Sequence, residues 1–290
     1  MSDNGIKPWE ELTFKDDYIF KKVMSDKRLC KKLLEKLLRI KIRDLKFLEE
    51  EKSLKSTYIS KGVRLDIYVE DDKKTVYDVE MQVRNLSDEE ISKRTRYYQA
   101  AIDTDLLSAG ALYSELKQTI IIFICPFALF NSNRHIYTFK NICLEDNRIK
   151  MKDGATKIFI STKGNIDDIS PDVKAFLDYI DGISSNDEFV SEIDRAVENI
   201  KSKESERLSY MTYAMKMLEE REEGRKEGRK EGRKEGRKEG RKEGIEEKEN
   251  AVILAMLREN TPLDFISKIL NLPATKISEI GRLHGVICAK

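Results

Sequence analysis

The sequence predicts an α/β protein: a mixed sheet flanked by helices, followed by a helical region, a charged repeat and a small all-α tail. Three observations predict it. Apolar residues recur at helical spacing near the start, runs of alternating β-branched and aromatic residues follow, and five tandem Gly-Arg-Lys-Glu units at 224–243 separate the body of the chain from its end. With 290 residues, 40% of them apolar, the chain can bury one sizeable core and carry an appendage. The division expected is a main domain at 1–200, a helical extension at 201–223, a linker at 224–244 and a helical module at 245–290.

Between residues 16 and 40, Tyr18, Ile19, Phe20, Val23, Leu29, Leu33, Leu34 and Leu37 repeat with helical period, predicting two short amphipathic helices. Residues 63–69 and 75–83 alternate apolar and polar side chains around a charged turn and predict a β-hairpin. Ser87 with Glu90 three residues later forms a capping-box pattern for a helix reaching about residue 109, where Gly110 is a stop. Further strands are expected at 118–125, 134–139 and 156–161, and further helices over 170–223 with a break at 182–186. In the repeat, each glycine costs a helix about 1 kcal/mol relative to alanine. Like charges at i, i+4, such as Arg225 with Arg229 and Glu227 with Glu231, repel. The repeat is therefore predicted to be a flexible or fraying linker. Beyond it, 251–257 shows an apolar helix face, Thr261 is the expected N-cap of a helix with Pro262 at its first position, and 276–283 forms a third helix. This tail is either a helix-turn-helix DNA reader or a small bundle for self-association.

Composition narrows the partners. The 54 basic and 53 acidic residues leave a net charge of +1, so no global field draws the molecule onto a polyanion, and nucleic-acid contact has to come from local patches. The repeat alone holds ten basic and five acidic residues, which leaves the remainder slightly acidic. Cys30, Cys125, Cys143 and Cys288 are scattered and the histidines are His135 and His284, a pattern that supports neither a structural zinc site nor a disulfide framework. The polar N-terminus has no signal core, and the longest apolar stretch, 120–130, contains Pro126 and falls short of the roughly 20 residues that span a bilayer. A soluble cytoplasmic protein with no membrane partner is expected.

The hairpin carries the chemistry. Val63, Leu65, Ile67 and Val69 share one face of the first strand and Arg64, Asp66 and Tyr68 the other; on the second strand Asp78, Glu80 and Gln82 lie opposite Tyr77, Val79 and Met81. A turn centred on Lys73 sets Asp66 across from Glu80, and a turn centred one residue earlier sets it across from Asp78. Opposed carboxylates with Cβ atoms about 4.5–5.5 Å apart repel. A hard divalent cation such as magnesium offsets that cost, bridges to phosphate oxygens and acidifies water. The same alternation also describes a hairpin with one ordinary solvent-facing side.

Asp17-Tyr-Ile-Phe-Lys21, Asp66 in a strand, Glu80-Met-Gln82 in the next strand and Arg94-Thr-Arg-Tyr-Tyr98 in the following helix resemble, in order and spacing, the PD-(D/E)XK nuclease-like transposases, also called recombination-promoting nucleases. The likeness continues through Asp153-Gly-Ala-Thr-Lys157 and Tyr210-Met-Thr212 and covers nearly the whole chain. It implies a restriction-endonuclease-like core, cleavage of DNA dependent on Mg2+ or another divalent cation, and a link to recombination or mobile elements in bacteria. On that resemblance Asp66 and Glu80 are metal ligands, Gln82 completes the catalytic set, Asp17 is a further candidate acid, and Lys21, Arg94 and Arg96 are candidate DNA phosphate contacts. Gln82 stands where the broader superfamily commonly has lysine; glutamine can orient a water but carries no charge. The alternative is a weak or inactive enzyme that keeps the fold, binds DNA and forms a homo-oligomer through its C-terminal helices.

Overall fold

The two helices expected near the start form as α1 (Asp17–Met24) and α2 (Lys27–Leu38). Asp26 sets the corner between them, its carboxylate accepting from the backbone N–H groups of Arg28 (2.8 Å) and Leu29 (3.1 Å) as an N-cap. This computed structural model describes residues 6–50, 53–54 and 63–286; the first five residues and Cys288 lie outside them. The chain divides into two compact units, Met1–Thr212 and Tyr213–Lys290.

In the first unit the strands are β1 (Leu45–Glu50), β2 (Ser53–Leu54), β3 (Val63–Arg64), β4 (Ile67–Asp71), β5 (Val76–Met81), β6 (Thr119–Cys125), β7 (Ile136–Phe139) and β8 (Ala155–Ser161). Six of them form a mixed sheet in the order β1-β4-β5-β6-β8-β7, while β2 and β3 pair separately. The β5–β6 and β6–β8 pairs are parallel; the outer pairs are antiparallel. Helix α3 (Asp88–Leu106) connects β5 to its parallel neighbour β6, and it starts as predicted, with the Ser87 hydroxyl accepting from the Glu90 N–H at 3.2 Å. Helices α4 (Pro171–Ile180) and α5 (Glu188–Lys201) complete the layer that α1 and α2 begin. This mixed sheet flanked by helices is consistent with the restriction-endonuclease-like core that the resemblance implies.

Burial is two-sided. Tyr68, Val76, Ile121, Phe123 and Phe159 pack with Ile91, Tyr98 and Ile102 of α3. The alternate residues Ile67, Val69, Val79, Ile122, Ile124 and Ile160 are buried as well, as the unbroken apolar run of β6 requires of a central strand. The solvent-facing hairpin is thereby excluded: Asp78, Glu80 and Gln82 lie inside. The strand expected over 63–69 is also interrupted. The chain bends at Leu65–Asp66, so that Leu65 joins the core beneath α3 while Ile67, two residues on, points to the opposite face.

In the second unit, the last turns of α6 (Glu204–Arg258), α7 (Leu263–Leu270) and α8 (Ala274–Leu283) close over Ile253, Ile266, Ile277 and Ile280. Pro262, not Thr261, occupies the N-cap of α7, and Asn271 ends it in the left-handed region at φ 52°. The repeat differs from the flexible linker expected, because 224–243 is helical throughout. Three of every four residues there are good helix formers, Glu227 and Lys230 recur as favourable i, i+3 pairs, and the run continues turns already formed without a new nucleation step. No atom comes within 4 Å of a Cβ built on Gly228, Gly232 or Gly236. Alanine at these three positions is expected to stabilise the helix by about 1 kcal/mol each, seen in circular dichroism as a larger helical signal that persists to higher temperature. An unchanged signal would count against a helical repeat.

Candidate active site

The β4–β5 ladder pairs Ile67 with Val79 and Tyr68 with Asp78, the register that sets Asp66 beside Glu80. It ends at the bend, and there the side chains take over the pairing. The Asp66 N–H donates to Glu80 Oε1 (2.8 Å), and the Met81 N–H donates to Asp66 Oδ2 (3.2 Å). Each carboxylate thus satisfies a backbone donor of the other strand, which holds the two acids together in spite of their charge.

On the α1 side, the buried Lys21 ammonium, 7% exposed, lies 3.0 Å from Asp66 Oδ1 and 2.9 Å from Asp17 Oδ1. Arg64 reaches Asp17 Oδ2 at 2.9 Å. Arg64, Asp17, Lys21 and Asp66 form a line of alternating charge in which both oxygens of Asp17 engage cations. Lys21 itself is buried and paired with two carboxylates. Burial works against its charge, but the Asp66 and Asp17 carboxylates outweigh that and raise its pKa.

On the α3 side, Arg94 donates to Gln82 Oε1 (2.6 Å) and to the Tyr98 hydroxyl (2.6 Å), with a longer contact to Glu80 Oε2 (3.5 Å). Gln82 Nε2 donates to the Arg84 carbonyl at 2.5 Å. Both ends of the Gln82 amide are therefore used. Arg96 and Arg84 are exposed. The sequence offers no sign of Arg64 in the site and suggests only packing for Tyr98, although the i, i+4 spacing of Arg94 and Tyr98 is a signal for the contact.

Burial pushes the Asp66 carboxyl up to about 6, with the Asp17 charge adding to the shift and Lys21 opposing it. Glu80, 2% exposed, is raised well above the ordinary range by burial and then by the charges of Asp66 and Asp78. Asp78, fully buried, is raised by burial and then by Asp66. It receives no hydrogen bond from a neutral or cationic donor among the described residues. The Glu80 carboxyl and the Arg94 charge oppose that rise. The acids of this arrangement offer oxygen atoms only, and Lys21, Arg64 and Arg94 are the cations paired with the cluster. No group of three or more His, Cys, Asp or Glu residues arranged to hold a metal ion occurs among the described residues.

A family model described as PD-(D/E)XK nuclease family transposase matches residues 14–235. No curated protein and no solved structure matches the chain. Among the described residues, no helix is long and apolar enough to cross a membrane.

The raised acids make stability depend on pH in a stated direction. The folded protein binds protons on Asp66, Asp78 and Glu80 more tightly than the unfolded chain, whose carboxylates titrate near 4. Their contribution is fully present below that value and is lost as pH rises through about 6 for Asp66 and higher for the other two. In metal-free protein the urea midpoint should fall across this window, and Asp78→Asn should reduce the fall. An equal slope in the variant would mean that Asp78 is not a strained buried acid.

Proposed function

The chain belongs to the PD-(D/E)XK nuclease family transposases, and we propose that it is a divalent-metal-dependent DNA endonuclease, linked to recombination or mobile elements, whose cutting centre is Asp66 and Glu80. The observation that carries this reading is the pair of carboxylates brought together where the β4–β5 ladder opens. Their donor chemistry fits the cation: magnesium takes oxygen ligands, needs only one or two carboxylates and keeps several waters. Burial has pushed both acids up, and a nearby positive ion favours the charged form of such groups. Asp66 and Glu80 would hold the ion. When bound, it supplies charge neutralisation at the phosphodiester and lowers the pKa of water.

The chain's own groups do the positioning. Lys21 opposes the protonation of Asp66 that burial favours, while the Asp66 N–H orients Glu80. Gln82 is uncharged and spends its amide on Arg94 and the Arg84 carbonyl, so its part is to brace the end of β5 and not to take a proton. Arg96 would be a DNA phosphate contact, a role its exposure on α3 supports. A second reading, a protein that keeps the fold and binds DNA without cutting it, is favoured by that same neutral Gln82.

Plasmid nicking decides between them. With Mg2+ or Mn2+ present, wild-type protein should nick DNA, and Asp66→Ala and Glu80→Ala should each lose several kcal/mol of transition-state stabilisation, on the order of a hundredfold or more in rate. DNA affinity without metal should be kept. No cleavage with any of several divalent metals, or equal cleavage by the variants, would overturn the nuclease and leave the binding protein.

A further inference from the structure

We propose that Arg94 is a positioning residue of the cutting centre, aiming the Glu80 carboxylate through a clamp with Gln82 and Tyr98, and is not a DNA phosphate contact. This inference rests on the nuclease reading above and extends it to the residues behind the ligands.

The geometry points inward. The guanidinium carbon lies 5.0 Å from the Tyr98 ring centroid and 5.6 Å from that of Phe123, so the group rests on two rings of the core beneath α3 while 37% of the side chain stays exposed. Its N–H groups are directed at named acceptors: one terminal nitrogen at Gln82 Oε1, the other at the Tyr98 hydroxyl and Glu80 Oε2, and Nε at Tyr98 at 3.2 Å. Those contacts use four of the five donor directions that a guanidinium has, leaving little to offer a phosphate. Gln82 cannot turn its amide over without breaking the bond from Nε2 to the Arg84 carbonyl, so its oxygen stays presented to Arg94. A line of hydrogen bonds therefore runs from the β5–α3 connection through Gln82 and Arg94 to the outer oxygen of Glu80, while the inner oxygen is held by the Asp66 N–H.

Glu80 needs such a hold. Asp66 and Asp78 both press negative charge on it, and among the described residues Arg94 is the cation that contacts it. Lys21 serves Asp66 in the same way from the opposite helix layer. A lysine in place of Arg94 would supply charge without the planar fork that reaches Gln82, Tyr98 and Glu80 together.

The test measures Mn2+ binding to the full-length protein by calorimetry, and DNA binding against salt concentration in the absence of metal. The proteins are wild type, Arg94→Met, Arg94→Lys and Gln82→Met, with Asp66→Ala as the floor and urea midpoints to verify folding. Loss of a group that orients a ligand typically weakens metal binding by about 10- to 100-fold. That loss is expected in Arg94→Met and Gln82→Met, without rescue in Arg94→Lys, and with the salt dependence of DNA binding unchanged. Unchanged Mn2+ affinity in both Arg94→Met and Gln82→Met would overturn the clamp. So would weaker DNA binding by Arg94→Met with a salt slope reduced by about one, the mark of a lost phosphate contact. Should Arg94→Met fail to fold, Gln82→Met tests the same clamp from its other end. A wild-type protein that binds no Mn2+ overturns the nuclease reading itself, a result distinct from wild type and clamp variants binding Mn2+ equally.

Discussion

The structure turns on the opening of the β4–β5 ladder at Leu65–Asp66. Up to Ile67 the strands satisfy one another's backbone groups in the ordinary way. One residue further, each strand's orphan N–H is taken by a carboxylate from its neighbour. Backbone donors buried without partners are costly, so this exchange both ends the sheet tidily and obliges two acids to stand together. The chemistry of the site follows from that local solution. An uninterrupted strand would have paired its backbone groups along the ladder and left Asp66 and Glu80 as an ordinary cross-strand repulsion.

Two helix layers then manage the charge. From one side α1 brings Lys21, and from the other α3 brings Arg94, so each acid meets a cation on a different helix. The supporting residues are themselves supported: Asp17 and Arg64 behind Lys21, Gln82 and Tyr98 behind Arg94. Asp78 is the exception, a fully buried carboxyl whose neighbour is another carboxyl. Local rules of protein design are broken at this spot and kept through most of the sheet, which is where functional sites are expected to lie.

The second unit shows a different balance. Its core is four isoleucines drawn from three helices, small enough that the turn chemistry at Asn271 and the Pro262 cap contributes visibly to its definition. The repeat within α6 buries nothing, and its helicity rests on the continuity of the helix on either side. That contrast explains why propensity arithmetic misjudged it. The penalties from glycine are local, whereas helix propagation is cooperative and inherits its start from the preceding turns.

Much of the architecture was legible in the sequence because it is written in periodicity. The helical stripe from Tyr18 to Leu37, the apolar run of β6 and the Ser87 cap each follow from short-range rules, and α1, α2, β6 and α3 form where those rules place them. The turn left Asp66 across from either Glu80 or Asp78; the motif order that resembles the family pointed to Glu80, and the register of the ladder agrees with it. What the sequence could not decide is everything that depends on a second layer. Strand alternation does not say whether the polar face is wet, and α3 had to fold over it before Asp78, Glu80 and Gln82 became buried. The bend that changes the phase at Leu65, the pairing of Asp17 with Arg64 and Lys21, and the turning of Arg94 inward are decided by tertiary packing. They bring together residues that are far apart in the chain, and a sequence pattern reports only neighbours.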